Sequence, residues 1–312
     1  MYKIAFCGIG SIGKRHLRNT ALYLESQKKD FVVDVIRTEK NVVTDDEISG
    51  YIHEIYSYDD EIANDYDIIF VTNPTGKHYE TVKQYLKNTV NMFIEKPVFD
   101  SFEYDIESLN LNANGIYYVA CPLRYTNVIQ YIRKNINTQS AISIRAICSS
   151  YLPEWRAGID YRDTYSAKKD MGGGVAIDLI HEWDYLTYLF GFPEEVTYLG
   201  GKYSDLEIDS DDLAVYIGKA KDKLIELHLD YFGRKNVREM EIFLPDETVK
   251  ADLINGTVTY LKCGEIVNLK EERNDYQMQE IIHFFAMLDG KCKNDNDVYN
   301  AVKTLKLTRG IV

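Results

Sequence analysis

Residues 3–16 read KIAFCGIGSIGKRH, and this stretch decides the fold. KIAFC is an apolar run of strand length, and GIGSIG, Gly8 to Gly13, fits G-x-G-x-x-G directly behind it. Gly8 permits the tight turn, Gly10 lets backbone approach a pyrophosphate, and Gly13 lets helix and strand pack closely. Ser11 and Ile12 complete the loop and open a helix, whose free N–H groups and positive dipole end face a phosphate. With helical spacing from Lys14 to Lys28, the context is the one a dinucleotide-binding βαβ unit requires.

Working outward, FVVDVIR, DYDIIFVTNP, NMFIEKP and GIYYVACP are further apolar runs of strand length. HYETVKQYLKN and FEYDIESLNLN lie between them with helical spacing. Such alternation implies a doubly wound parallel sheet whose ligand site lies at the carboxyl ends of its strands. After Pro122 the pattern changes. AISIRAICSSYL reads as a strand, GGGVAIDLIHEWDYLTYLFG as one long helix opened by glycines, and residues 195–269 as short antiparallel strands. Two helical stretches, YQMQEIIHFFAMLDG and NDVYNAVKTLKLTRG, close the chain. The expected class is α/β: a Rossmann domain over 1–122, then an α+β domain with an open, mostly antiparallel sheet over 123–312, for substrate binding and oligomerisation. The C-terminal helices are free to pack back on the first domain.

The 312 residues carry 36 Lys and Arg against 49 Asp and Glu, a formal net charge of −13. That balance disfavours nucleic acid and anionic membrane as partners. Five scattered cysteines with no C-x-x-C pair argue against a disulfide framework or a structural zinc site. No apolar run reaches spanning length, and MYKIAFCGIG reads as a strand rather than a signal peptide. A cytoplasmic location is expected.

The end of the second strand bears on the dinucleotide. NAD binders place an acidic side chain there, and NADP binders an Arg near the 2′-phosphate. VIRTEK offers Arg37 and Thr38, then Glu39, while Asp34 lies too early in the strand. NADP(H) is therefore favoured, with NAD(H) admitted through Glu39. IEKP closes another strand with Glu95 and Lys96, placing the lysine over the cofactor crevice. A poorly solvated lysine there can polarise a carbonyl oxygen or share a proton with a hydroxyl.

GIGSIGKRH, TNPTGKHYE, EKP and a glycine-opened stretch carrying Asp and His resemble, in order and separation, the glucose–fructose oxidoreductase / inositol dehydrogenase / MocA family. The resemblance implies NAD(P)-dependent oxidation or reduction of a sugar or polyol, with Lys96 and His181 working at the transferring carbon. It also implies that Thr72, Asn73, Pro74 and His78 form the loop along the nicotinamide side. A homodimer or homotetramer through the exposed sheet face is expected on the same ground.

Within IDLIHEWDYL, residues 177–186, Asp178, His181 and Asp184 are ligand-capable. On one helix Asp178 and His181 share a face and Asp184 lies further round. A metal site would need further converging ligands, and no H-E-x-x-H or second cluster exists, so no metal is expected. His181 reads as a proton-handling group, Asp178 as its orienting partner or a hydroxyl ligand, and Asp184 as a structural partner. Many family members carry the Asp four residues before the His. Ile177 stands there in this chain, which leaves the role of Asp178 less determined.

SYLPEWRAGIDYRDTYSAKKDMGGG, residues 150–174, gathers Tyr151, Trp155, Arg156, Tyr161 and Arg162 before the glycines. Aromatic faces stack on sugar rings, and arginines grip carboxylates or phosphates bidentately. Together with Arg124 these are the candidate substrate ligands. The stretch also resembles a branch of the family tied to bacterial surface-sugar synthesis, which implies an anionic or nucleotide-linked sugar substrate. The competing reading is a non-catalytic NADP-binding redox sensor of the same fold.

Overall fold

The structure is a computed structural model that describes residues 1–40, 43, 45–62 and 65–312. The chain divides into two compact units, Met1–Ala120 with Gln277–Val302, and Cys121–Tyr276 with Lys303–Val312.

The first unit holds β1 (Tyr2–Cys7), α1 (Ser11–Ser26), β2 (Phe31–Arg37), β3 (Ile52–Ser57), β4 (Ile68–Val71), α2 (His78–Tyr85), β5 (Asn91–Ile94) and β6 (Ile116–Val119). Its strands form one parallel sheet in the order β3-β2-β1-β4-β5-β6. The strand order reverses between β1 and β4, the place where such sheets open a ligand crevice. All four residues of β4 are buried, as expected of a parallel strand covered on both faces. Phe6 stacks on Phe70 with ring centroids 4.4 Å apart, and Phe70 on Phe93 at 5.1 Å. Phe284, from the returning C-terminal segment, meets Phe93 edge-on at 5.3 Å.

Two expectations fail in this unit. FEYDIESLNLN forms only a single 3-10 turn at Glu107–Leu109, ended by Asn110 at φ 50°. Its Asp, Ser and Asn side chains bond to nearby backbone instead of supporting a helix, as Ser108 Oγ does to Asp105 O at 2.7 Å. Strand β3 was not anticipated, because its burial never rises above intermediate and no apolar run marks it.

The second unit contains α3 (Asn127–Asn135), β7 (Ser143–Tyr151), α4 (Val175–Asp178) and α5 (His181–Phe190). Seven strands follow: β8 (Glu195–Gly201), β9 (Leu213–Ala220), β10 (Lys223–Asp230), β11 (Phe232–Phe243), β12 (Thr248–Asp252), β13 (Thr257–Tyr260) and β14 (Ile266–Asn268). The eight strands form one sheet in the order β14-β13-β12-β11-β7-β10-β9-β8. Every pairing is antiparallel except β7 with β10. Burial alternates along β9, so Ala214 and Tyr216 join Ile144, Ile225, Leu227, Met240, Trp183 and Leu186 in the core. Helices α6 (Arg273–Leu288) and α7 (Val298–Leu307) end the chain.

The long helix expected over residues 175–190 is broken. Leu179 leaves helical geometry at φ −97°, ψ 26°, and the next amides reach only three residues back, Ile180 N to Ile177 O and Glu182 N to Leu179 O. Leu179 and Ile180 are both buried, so the break is packed inside the unit rather than exposed to solvent. Asp178 therefore ends one helix and His181 begins another, and the shared-face argument for the two no longer holds.

Candidate active site

In the first unit three segments leave the carboxyl ends of adjacent strands: Gly8–Gly13 after β1, Thr72–Pro74 after β4, and Glu95–Lys96 after β5. Gly8 has φ +92°, and a Cβ there would lie 2.6 Å from the Asn73 Cα. A Cβ on Gly13 would lie 2.7 Å from Gly8 O. Both glycines are required by packing. Gly10 differs, since a Cβ there would meet no protein atom within 4 Å. It is the N-cap of α1, which carries no side-chain cap and no acidic residue in its first turn. Open backbone at a 16-residue helix N-terminus fits the pyrophosphate of a dinucleotide. Thr72 donates to Gly8 O at 2.7 Å, tying the β4 loop to the glycine turn. Asn73 donates to Thr81 Oγ1 at 2.7 Å, and its side chain also lies within hydrogen-bonding reach of Tyr58.

Pro74 opens the turn that leads into α2. His78, expected along the cofactor, is buried in the first turn of that helix. Its Nε2 lies 2.9 Å from Asn73 O, and its Nδ1 lies 3.1 Å from Pro97 O and 3.2 Å from Val98 O. Burial pushes this imidazole below the ordinary histidine range, against three carbonyls that favour its charged form. The ring thus joins the Asn73 loop to the segment after Lys96.

On the near side of Lys96, Glu95 Oε1 lies 2.5 Å from His16 Nε2, and Glu95 Oε2 accepts the Lys96 N–H at 3.1 Å. Burial alone would raise the Glu95 carboxyl. The His16 hydrogen bond and charge, with the charge and amide of Lys96, hold it below the usual glutamate range instead. At the end of β2, Arg37 is half-buried and has no hydrogen bond or ion pair among the described residues. Thr38 and Glu39 are exposed. Asp34 is buried and already accepts from Tyr66 at 2.8 Å and faces His53 at 3.1 Å, so it is committed within the strand layer.

In the second unit, Asp178 is buried at the end of α4 and accepts the Tyr231 hydroxyl at 2.5 Å. Burial first, and then the Asp178 carboxylate, push the Tyr231 hydroxyl well above the ordinary tyrosine range, and the same two causes raise Tyr165. Trp155 meets Tyr231 edge-on at 5.2 Å and donates to Ser150 Oγ at 2.9 Å. Asp230 accepts from Ser149 Oγ and from the amides of Phe232 and Gly233, fixing the turn that presents Tyr231. His181 is the half-buried first residue of α5. The following Glu182 is fully buried and pairs with Arg238 at 3.0 Å.

The arginines separate sharply. Arg124, expected at the substrate, is buried and gripped by Asp184 through Nε at 2.9 Å and a second nitrogen at 2.6 Å. It also stacks over Tyr188 at 4.7 Å. This corrects its assignment: a buried guanidinium with a bidentate carboxylate of its own is a structural tie. Arg162 is exposed but held by Asp160 and Glu207, which raise its pKa. Tyr161 accepts the Glu207 amide at 3.1 Å, and the ring of Tyr151 is covered by Arg234 at 3.8 Å. Arg156 has the Tyr165 ring beside it, at 5.7 Å. With Leu152, Trp155, Ile159 and Thr164 it lines a shallow recess open to solvent. Among the described residues no group of three or more His, Cys, Asp or Glu side chains is arranged to hold a metal ion.

Residues 2–111 match the model of the Gfo/Idh/MocA family, described as an oxidoreductase family with an NAD-binding Rossmann fold. A curated relative, 2,7-anhydro-N-acetylneuraminate hydratase of Escherichia coli (strain K12), is 30% identical over 138 residues, 43% of this chain and 37% of the relative. The chain thus spans little more than a third of the curated relatives it matches. A levoglucosan dehydrogenase solved with NADH superposes with a TM-score of 0.81 at 16% identity, over 99% of this chain and 95% of that one. UDP-N-acetylglucosamine 3-dehydrogenase from Acidithiobacillus ferrooxidans superposes at 0.76 with 18% identity, over 99% and 96%. At these identities the superpositions establish the fold, a parallel Rossmann sheet with a separate, mostly antiparallel sheet.

Sequence reasoning missed four side chains that shape the two units: His16, Tyr231, Arg234 and Arg238. Only His16 carried a local signal, as the last residue of GKRH behind the glycine turn. The others lie on β11 or at its start, far along the chain from what they touch.

Proposed function

We propose that this protein is an NAD(P)-dependent oxidoreductase that interconverts a carbinol and a keto carbon of a sugar, with anionic or nucleotide-linked sugars as the favoured class. The observation that carries the proposal is the clamped Lys96 segment, which leaves β5 beside a glycine turn whose Gly10 is open. When bound, the nicotinamide would give or take the hydride. Gly10, Ser11, Ile12 and Gly13 would hold the pyrophosphate through backbone N–H groups. We assign Lys96 to the proton of the reacting hydroxyl and His181 as the second proton-handling group. Asp178, held by Tyr231, orients its surroundings. Arg156 and Trp155 supply an uncommitted cation and an aromatic edge for an anionic sugar, consistent with the nucleotide-sugar dehydrogenase among the similar structures.

For the cofactor, Arg37 supports NADP(H). It is a cation at the β2 terminus with no hydrogen bond or ion pair among the described residues, and Asp34 is committed elsewhere. NAD(H) remains open through Glu39, and similar structures hold NADH. Assembly as a homodimer or homotetramer is proposed from the family resemblance and is checked by light scattering.

The test is a panel of nucleotide sugars and free uronic acids with NADPH and NADH, followed at the nicotinamide absorbance. It is repeated with Lys96→Met and His181→Ala, with cofactor binding measured separately. Each variant should keep cofactor affinity and lose turnover by about 10²–10⁴-fold, the range for a positioned acid or base. A double variant with the parent rate on a confirmed substrate overturns the mechanism.

A further inference from the structure

We propose that His16 is a positioning residue for Lys96, acting through Glu95, and that it ties the helix behind the pyrophosphate turn to the proton-handling lysine. This rests on the role assigned to Lys96 above. His16 lies on α1 one turn beyond Gly13 and is 1% exposed. Its ring is packed against Phe93 at 4.8 Å and Phe70 at 6.3 Å, surroundings that an apolar side chain would fill at lower cost than an imidazole–carboxylate pair. Its Nδ1 has no hydrogen-bond partner among the described residues, so the 2.5 Å contact with Glu95 Oε1 is the polar anchor that fixes the ring.

The same contact fixes Glu95. With Oε1 taken by His16, Oε2 is turned back onto the Lys96 N–H at 3.1 Å. Two hydrogen bonds in series therefore run from α1 to the backbone of Lys96. Beyond the lysine, His78 holds Pro97 O and Val98 O. Lys96 is thus suspended between two buried histidines, one from α1 and one from α2. The α1 histidine alone shares its helix with the open Gly10. A ligand that settles on the first turn of α1 acts on the same rigid element that sets Glu95. Misplacement of a catalytic group by ~1 Å can cost about 10²-fold in rate, so loosening this anchor should reach turnover while leaving the glycine turn intact.

The experiment compares the parent, His16→Leu and His16→Gln, whose amide nitrogen reaches towards the position of Nε2. Three quantities are read: hydrogen exchange at the Lys96 amide, the dissociation constant for NADPH and NADH by fluorescence, and kcat with KM on the substrate that the panel identifies. His16→Leu should speed exchange at Lys96 by about tenfold or more and lower kcat by about 10- to 100-fold, with cofactor affinity within about twofold. His16→Gln should recover most of both. If His16→Leu does not fold, His16→Leu with Glu95→Gln, which removes the stranded carboxylate, carries the same comparison. Unchanged exchange at Lys96 in the leucine variant overturns the proposal. So does a kcat loss shared equally by the glutamine variant, or one that follows cofactor affinity. Lys96→Met run alongside separates the two failures: full activity in that variant defeats the function assigned to Lys96, whereas the exchange measurement judges His16 regardless.

Discussion

Lys96, half-buried, and Asp178, buried, are each held among groups that fix them, but the two corners are assembled in different ways. Lys96 is held by its sequence neighbour Glu95 and by histidines on the two helices that follow β1 and β4, all within the first hundred residues. Asp178 is held by Tyr231, which arrives from the far end of the next hairpin. Around it, Asp184 is bound by Arg124 and Glu182 by Arg238. In the first unit the backbone motif itself places the functional group. In the second, a bend between two short helices is fixed by ion pairs and hydrogen bonds reaching across the sheet. The lysine corner should therefore respond to local changes in activity, and the Asp178 bend to distant changes in stability.

The largest expected effect tests the second half of that contrast. Arg124→Met leaves Asp184 buried and unpaired and should destabilise the protein by about 3–5 kcal/mol, read from urea unfolding. A loss under 1 kcal/mol would mean that the bend stands without its ion pairs. Tyr231→Phe removes the donor to a buried carboxylate and should cost about 1.5–3 kcal/mol, together with a loss of turnover. A variant that keeps both stability and turnover would detach Asp178 from function altogether.

A pH experiment sharpens the first half. The Glu95 carboxyl sits below the ordinary glutamate value in the folded state, so it binds fewer protons folded than unfolded. The stability this supplies is complete above the unfolded value near about 4.3, and is lost as pH falls through the folded value. Glu95→Gln should therefore show a shallower loss of stability between neutral and acid pH than the parent, by urea midpoints across that range. Parallel curves would mean that the His16–Glu95 contact does not favour the ionised acid. The smallest effect is expected at Arg162→Ala. Its pairs with Asp160 and Glu207 are exposed, and solvent screens such pairs until they contribute little. A much larger loss would show that the arginine loop is structural throughout.

The Rossmann half was legible because its signals are local. Apolar runs of strand length end in Gly, Asn or Lys at the positions where the crevice forms, and Gly8 and Gly13 are required by contacts only a few ångströms away. The antiparallel sheet was legible from alternation. The break at Leu179 was not, because GGGVAIDLIHEWDYLTYLFG has good helical spacing throughout and no glycine or proline stands between Val175 and Phe190 to mark the bend. Arg124 was misread for a related reason: in sequence it is a cation beside a functional loop, and only the approach of Asp184 shows that its charge is already answered. The division between β2 and its neighbours hid β3, whose residues are too polar to announce a strand.

Both compact units are left incomplete until residues beyond 276 are made. The parallel sheet draws on Gln277–Val302, and the antiparallel unit on Lys303–Val312. The central strand β7 ends at Tyr151, yet its partners β10 and β11 begin only at Lys223 and Phe232. During synthesis β7 must wait with both edges open, and neither unit can close before the last stretch emerges. Domains usually fold as units from the N-terminus onward, and non-local pairing is slow. Here a nascent chain halted short of residue 277 would carry two unfinished cores at once, so residues 277–312 are ones on which both units depend to close.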